Sequence, residues 1–147
     1  MATYSKSSKD KLITAHIDLQ LIFNEVIKII DNTIVFGYRS PQIQFDLFKK
    51  GRTLIGGVWV VTNKGKVVTN CDGIKIKSKH NSYPSEAVDS VPYPINWEDI
   101  DSMYVLAECV LEIASRLKEE GKITHDIEWG GNWTRFKKDY PHYQIKK

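Results

Sequence analysis

Residues 128–133 of this chain read EWGGNW and residues 139–144 read DYPHYQ, and these two stretches decide how the fold is interpreted. A third stretch lies upstream, where residues 78–89 begin SKH and end AVD. The chemistry-bearing side chains of the three stretches are two histidines and two carboxylates: His80, Asp89, Asp139 and His142. Two histidines and one carboxylate as ligands, with a further carboxylate nearby, are the residue types of a catalytic zinc site that leaves one position for water.

The size and composition of the chain are those of one globular domain. We expect residues 1–147 to form a single domain, because a chain of this length buries a sizeable core. No apolar run approaches the ~20 residues that span a bilayer, which argues against membrane insertion. The formal net charge of 21 − 18 = +3 is too small to indicate a nucleic-acid partner. Lys75, Lys77 and Lys79 lie close together in the sequence. The favoured interpretation is a solvated surface, and the alternative is a surface that attracts an anionic polymer.

The N-terminus and the cysteines bear on the compartment in which the protein acts. The first ten residues are polar and lack the apolar core of a secretion signal. Cys71 and Cys109 form neither a CxxC pair nor a dense framework, so both are interpreted as reduced thiols. A disulfide between them is the alternative that the sequence leaves open.

Three helices are predicted from apolar residues that recur at steps of three and four. The first covers Lys11 to Ile30, and the second starts at Ser40-Pro41 and ends near Gly51. The third covers Trp97 to Glu120, with Asn96 as its N-cap and Gly121 after its last residue.

Short β-branched and aromatic runs predict strands between these helices. The predicted strands are Thr33–Tyr38, Ala87–Val91 and Ile123–Trp129, a hairpin of Val58–Val61 with Lys66–Thr69, and a half-exposed strand through Ile74 and Ile76. The resulting fold class is α+β: a small antiparallel sheet packed against helices, with long loops that carry the unusual residues and a zinc site in the cleft.

The chemistry of the candidate site divides among four residues. The candidate metal ligands are His80, Asp89 and His142, and the candidate general base is Asp139, which precedes His142 by three residues in a turn stiffened by a proline. Glu128 is the competing base, because it also lies beside the glycine turn. The other two histidines, His16 and His125, are interpreted as structural.

These motifs resemble those of the zinc D-Ala-D-Ala carboxypeptidase and L-alanyl-D-glutamate peptidase family, and in particular its phage endolysin branch. The family pattern begins S-x-H-x-x-G-x-A-x-D, continues with W-G-G-D-W and a phenylalanine, and closes with D-x-P-H-[FY]-Q. The positions that match as they stand are Ser78, His80, Ala87, Asp89, Trp129 to Gly131, Trp133, Phe136 and Asp139 to Gln144. Upstream, residues 16–20 and 37–40 and Gln44 also resemble early motifs of the family, so the resemblance covers nearly the whole chain.

The resemblance implies zinc as cofactor, with His80, Asp89 and His142 as ligands and Asp139 as base. It also implies that Arg39 lies near the scissile carbonyl, where a permanent positive charge would stabilise the developing oxyanion; pairing with a carboxylate is the alternative role. The implied substrate is the peptidoglycan stem peptide, cut between L-Ala and D-Glu by a monomeric lysis enzyme without a separate wall-binding domain. Such an enzyme would accumulate in the host cytoplasm and reach the wall after membrane permeabilisation.

Two departures from the family pattern keep other functions open. The stretch from His80 to Asp89 is two residues longer than usual and lacks a glycine, and Asn132 replaces an aspartate. The alternatives are a D-Ala-D-Ala carboxypeptidase, a non-catalytic module that binds the cell wall, and a hedgehog-like zinc site that serves binding. The intact Asp139 argues against the last of these, because a binding site has no need of a base.

Overall fold

The structure is a computed structural model that describes residues 1–135 and 137–147; the motif position Phe136 lies outside the described residues. In chain order its elements are α1 (Lys6–Leu12), α2 (Ile17–Val26), β1 (Asn32–Phe36), α3 (Pro41–Lys49), β2 (Arg52–Ile55), β3 (Val58–Val61), β4 (Ala87–Pro92), α4 (Ile100–Glu119), β5 (Asp126–Trp129) and β6 (His142–Lys146). The predicted α+β class with a small antiparallel sheet is confirmed.

The main sheet has four antiparallel strands in the order β1-β4-β6-β5, and β2 and β3 form a separate hairpin. One face of the main sheet packs on α2 and α4 through an apolar cluster that includes Phe23, Val110 and Tyr143. The rings of Phe23 and Tyr143 meet edge to face with centroids 5.5 Å apart. Because side chains alternate between the faces of a strand, the neighbours of these core residues point to the opposite face.

Several predicted elements are confirmed. The helix that starts after the Ser40 N-cap is α3, and the hydroxyl of Ser40 accepts the N–H of Ile43 at 3.2 Å. The predicted strand from Ala87 is β4. Both cysteines are free thiols, one in a loop and one on α4.

The predicted first helix, Lys11–Ile30, is wrong in its continuity. The chain instead forms α1 and α2, separated by a turn in which the side chain of His16 caps the second helix and accepts the N–H of Asp18 at 3.0 Å. The segment before His16 forms a bridge with Ser85, which draws the backbone out of helical geometry. The long C-terminal helix likewise begins later than predicted, with Asp99 rather than Asn96 as its N-cap.

The predicted hairpin is also wrong. The strand Val58–Val61 pairs with Arg52–Ile55 before it, because Gly56 and Gly57 both adopt positive φ and close a two-residue turn between the two strands. Residues 64–66 form a short 3-10 turn, and the predicted second strand, Lys66–Thr69, is not a strand. The predicted strand through Ile74 and Ile76 is a loop in which both side chains are exposed.

Candidate metal centre

Asp89 and His142 face each other across two neighbouring strands. They are paired residues of the antiparallel β4–β6 ladder, and Val88 pairs with Tyr143 at the next position. Val88 and Tyr143 are fully buried in the core under the helices. Alternation along the two strands therefore places both candidate ligands on the opposite face of the sheet.

His80 reaches this face from a short 3-10 turn, residues 79–81, that precedes β4. The hydroxyl of Ser78 accepts the N–H of His80 at 3.2 Å, and the side chain of Asn81 accepts the N–H of Ser78 at 2.8 Å. The N–H of Arg39 donates to the carbonyl oxygen of His80 at 2.8 Å. These bonds fix the turn against the chain that follows β1, and the His80 side chain is 1% exposed.

Hydrogen bonds decide which nitrogen of each histidine faces the centre. Nδ1 of His80 lies 2.7 Å from the carbonyl oxygen of Gly37, and because that oxygen only accepts, Nδ1 carries the proton. Nε2 of His142 lies 2.7 Å from Oε1 of Gln144. The amide nitrogen of Gln144 donates to the Glu128 carboxylate, so its oxygen is the acceptor and Nε2 of His142 carries the proton.

In the neutral rings the two remaining nitrogens present lone pairs to one carboxylate oxygen. Oδ1 of Asp89 lies 3.1 Å from Nε2 of His80 and 3.2 Å from Nδ1 of His142. The three ligand atoms lie within 4.8 Å of one another, and three electron-pair donors at such distances repel unless a proton or a cation lies between them. The donor set of two oriented imidazoles and one carboxylate therefore fits a divalent metal ion.

The charge of Asp89 is held in place by its neighbours. Burial alone would raise the pKa of the Asp89 carboxyl, but the two adjacent histidines in their protonated form, through their charge and the hydrogen bonds they then donate, hold that pKa well below the ordinary value. Arg39 donates to the other carboxylate oxygen of Asp89 at 2.7 Å and to Oε1 of Gln44 at 3.2 Å. The guanidinium of Arg39 therefore balances and orients the carboxylate, which is the pairing role that the sequence left as an alternative.

Asp139 approaches the centre from the tight turn before β6. Its Oδ2 lies 3.9 Å from Nδ1 of His142, and its carbonyl oxygen accepts the N–H of His142 at 3.2 Å. The N–H of Asp139 donates to the carbonyl oxygen of Gly130 at 3.0 Å, and a Cβ on Gly130 would overlap the Asp139 backbone. Burial, and then the charge of Asp89, raise the pKa of Asp139, which suits a group that takes up a proton near neutral pH.

The structure thus brings together all five residues singled out from the sequence, and it adds two to which the sequence assigned no role, together with a new partner for Glu128. Gly37 orients His80 and Gln144 orients His142, while Glu128, the competing base of the sequence analysis, accepts a hydrogen bond from Gln144. Residues two apart on a strand share a face, so the position of Gln144 two residues after His142 was a signal for its role. Glu128 could be placed only once its pairing with Gln144 across β5 and β6 was known.

The two departures from the family pattern do not separate the ligands. The longer stretch between His80 and Asp89 is tied down at Ser85, whose N–H donates to the carbonyl oxygen of Thr14 at 2.9 Å and whose hydroxyl donates to that of Ala87 at 2.7 Å. All positive-φ residues among the described ones are glycines, so this stretch forms its turn without the missing one. Asn132 is exposed, in a 3-10 turn that leads away from β5.

A second group of potential ligands consists of His16, Asp18 and His125. Oδ2 of Asp18 lies 2.8 Å from Nδ1 of His125 and accepts the backbone N–H groups of Thr124 and His125, both at 3.1 Å. Nδ1 of His16 accepts the N–H of Asp18 as the cap of α2. These contacts agree with the prediction that both histidines are structural, because they tie the start of α2 to the loop before β5.

Comparisons with known proteins give a curated relative and solved structures of similar fold. No family model matches the chain. It is 32% identical over 117 residues to the peptidoglycan L-alanyl-D-glutamate endopeptidase CwlK of Bacillus subtilis, a match that covers 79% of this chain and 61% of the relative. The chain thus spans about three fifths of the length of that relative.

One of the solved structures is that of the L-Ala D-Glu endopeptidase ChiX of Serratia marcescens. It aligns with a TM-score of 0.66 and 24% identity over 97% of this chain and 89% of that one, which shows a shared fold. Together with the relative, it supports the family resemblance that the motifs predicted.

Proposed function

We propose that this chain, which its motifs and its relative assign to the zinc D-Ala-D-Ala carboxypeptidase and L-alanyl-D-glutamate peptidase family, is a zinc-dependent peptidase of the peptidoglycan stem peptide. The bond it cuts is the one between L-Ala and D-Glu, as the name of its Bacillus relative states for that protein. The observation that carries the proposal is the convergence of two histidine lone pairs on Oδ1 of Asp89.

Zinc held by His80, Asp89 and His142 would supply Lewis-acid chemistry, polarising the scissile carbonyl and activating a water molecule. The tautomers of the two histidines match this assignment, since each presents a lone pair to the centre and donates its proton to a fixed acceptor behind it.

Asp139 is the general base of the proposed reaction. It accepts a proton from the attacking water and passes it to the nitrogen of the leaving D-Glu, so that the peptide C–N bond breaks as the new C–O bond forms. Its partly exposed side chain faces His142 from the substrate side of the turn. Arg39 holds Asp89 in place and contributes a permanent positive charge near the carbonyl oxygen.

The biological setting we propose is that of a phage endolysin. The enzyme is made in the host cytoplasm, reaches the wall after the membrane has been permeabilised, and lyses the cell as a monomer. The motif match to the phage branch supports this setting. Its first check is whether the protein lyses cells only when it is added from outside or expressed together with a membrane pore.

Mass spectrometry of muropeptides released from purified peptidoglycan tests the chemistry. We expect new free amino groups on D-Glu-containing peptides, lost on addition of a chelator and restored by zinc. Loss of one terminal D-Ala instead would identify a carboxypeptidase with the same metal chemistry. Absence of any cleavage by a protein with one bound zinc would contradict the peptidase proposal and favour a wall-binding module. Asp139→Asn is the matched control, because it removes the base and leaves the three ligands.

A further inference from the structure

The charges of the chain are distributed unevenly. The segment from Lys49 to Lys79, here called the basic segment, contains eight lysines and arginines and one acidic residue, so its formal net charge is 8 − 1 = +7. Because the whole chain carries +3, the remaining residues carry 3 − 7 = −4. The one acidic residue, Asp72, accepts the backbone N–H groups of residues 74–76 with Oδ1. The basic segment therefore presents a cationic surface on an otherwise acidic molecule.

The same segment exposes aliphatic side chains. Eight of the twenty large hydrophobic side chains exposed among the described residues lie in the basic segment, which is about a fifth of the chain. In the β2–β3 hairpin, Ile55 pairs with Val58 and Thr53 pairs with Val60, so these side chains share one face. On this outer face Ile55 is 54%, Val58 61% and Val60 41% exposed.

The inner face of the hairpin is anchored to the domain through Trp59, whereas Leu54 and Val61 on the same face are 54% and 45% exposed. Trp59 packs edge to face on Phe45 of α3, with ring centroids 5.9 Å apart. Nζ of Lys49 lies 4.6 Å from the centre of the Phe45 ring, and the Arg52 guanidinium lies 3.9 Å from the centre of the Phe48 ring. The hairpin is thus supported from one side only, and its outer face remains free for a partner.

The loop after the hairpin folds back on the start of β2. The carbonyl oxygen of Gly51 accepts the N–H groups of Thr62 and Asn63 at 2.9 and 3.0 Å. Lys64 and Lys66 follow directly and are exposed. Cationic side chains therefore flank the aliphatic outer face on the same protrusion.

We propose that the basic segment is a docking surface for an anionic phospholipid membrane, with Ile55, Val58 and Val60 entering the interface and the lysines contacting headgroups. An interfacial site combines aliphatic side chains, which leave water for the headgroup and acyl boundary, with cations attracted to anionic lipid. A second copy of the chain fits poorly, because it would bring two surfaces of +7 together. A hydrophilic polyanion would use the lysines and leave the aliphatic face in water.

This docking is peripheral and is independent of the peptidase proposal. Among residues 1–135 and 137–147 no helix has the length and apolarity needed to cross a membrane.

Co-sedimentation of the full chain with lipid vesicles tests the proposal. We expect binding to phosphatidylcholine vesicles that contain phosphatidylglycerol, weakened by salt, and little binding to phosphatidylcholine alone. Each basic residue near an anionic surface strengthens binding about fivefold, so Lys64→Gln combined with Lys66→Gln should weaken it about 25-fold.

The aliphatic face is tested by Ile55→Ser combined with Val58→Ser. Both positions are exposed in the free protein, so folding should be preserved, and the thermal transition checks this. We expect vesicle binding to fall about tenfold or more, because the apolar contribution to an interfacial site scales with the area buried. The matched control is Ile13→Ser combined with Ile29→Ser, at positions 69% and 68% exposed outside the basic segment, which should bind as the wild type does.

Three outcomes would overturn the proposal. The first is equal vesicle binding by the Ile55→Ser, Val58→Ser variant, together with binding to a soluble polyanion that depends only on the lysines; this would assign the surface to a hydrophilic polymer. The second is lipid-independent dimerisation in sedimentation velocity that is lost in the same variant. The third is absence of any preference for anionic vesicles.

Discussion

Two groups of histidine, aspartate and histidine lie in this molecule, and they are built for opposite purposes. In the candidate metal centre, His80 and His142 turn their lone pairs toward one oxygen of Asp89 and give their protons to acceptors behind them. In the group of His16, Asp18 and His125, the carboxylate of Asp18 accepts hydrogen bonds from backbone and side-chain donors of the protein itself. Residue composition is the same in the two groups, but burial and the direction of the hydrogen bonds separate them: all three residues of the first group are buried, whereas His16 and His125 are only half-buried.

A metal site is therefore recognised by the groups that hydrogen-bond to the outer atoms of its ligands. Gly37 and Gln144 fix the histidines of the first group from outside, which turns the inner nitrogens toward the Asp89 carboxylate. In the second group the inner atoms cap a helix and close a loop, so their hydrogen-bonding capacity is already used. The predictions below test this contrast.

The largest effect is expected from His142→Ala. Loss of a ligand should abolish zinc binding and lower the rate of muropeptide cleavage by about a thousandfold or more, because the metal contributes several kcal/mol to the reaction. The matched variant in the second group is His125→Ala, which should retain zinc and most of the activity. Zinc content by elemental analysis and the cleavage rate are the two measurements. Equal loss of zinc in both variants would contradict the proposed difference between the two groups.

Asp139→Asn should separate catalysis from metal binding. The substitution keeps the shape of the turn on Gly130 and leaves the three ligands, so zinc content should be unchanged. The cleavage rate should fall by about 10²–10⁴-fold, the usual contribution of a general base. A variant that keeps full activity would move the base role elsewhere, with Glu128 next to be substituted.

Gln144→Ala should weaken zinc binding without removing a ligand. The amide oxygen of Gln144 fixes the tautomer of His142, and loss of such a partner costs about 10–100-fold in metal affinity or activity. Competition with a fluorescent chelator measures the affinity, and Gln42→Ala, at an exposed glutamine on α3, is the control. Unchanged affinity in Gln144→Ala would show that β6 alone orients His142.

The sequence predicted which side chains come together better than it predicted the helices and strands that carry them. Spaced motifs identified His80, Asp89, Asp139 and His142, because the chemistry of the site allows few residue types at these positions. Local patterns could not separate α1 from α2, since Leu12, Ala15 and Leu19 are all buried in one core at helical spacing although the chain leaves the helix between them. The bridge from Ala15 to Ser85 that breaks the helix is a long-range contact.

The hairpin was also misplaced because its position depends on contacts that local sequence patterns do not show. Gly56 and Gly57 are a turn signal that fits β2 and β3, but the sequence interpretation placed the turn after Val61 and paired Val58–Val61 with Lys66–Thr69. Both stretches carry turn residues between apolar runs, and packing of Trp59 on Phe45 decides between them. The orienting residues Gly37 and Glu128 depend in the same way on partners distant in sequence.

The smallest effect, and the one that tests the second group most directly, is expected from Asp18→Asn. Hydrogen bonds from His125 and from the backbone of Thr124 and His125 outweigh burial and lower the pKa of Asp18 in the folded state. A carboxyl with a lowered folded pKa stabilises the protein above its ordinary pKa, and this stabilisation is lost as the pH falls through the folded value. Asp18→Asn should therefore cost about 1–3 kcal/mol of unfolding free energy at neutral pH, the usual cost of losing hydrogen bonds to a charged group. The difference in unfolding free energy from the wild type should shrink as the solution is acidified toward the folded pKa.

Urea denaturation at several pH values, with zinc content measured alongside, checks the prediction: a loss of zinc at constant stability would mean that the second group binds metal after all.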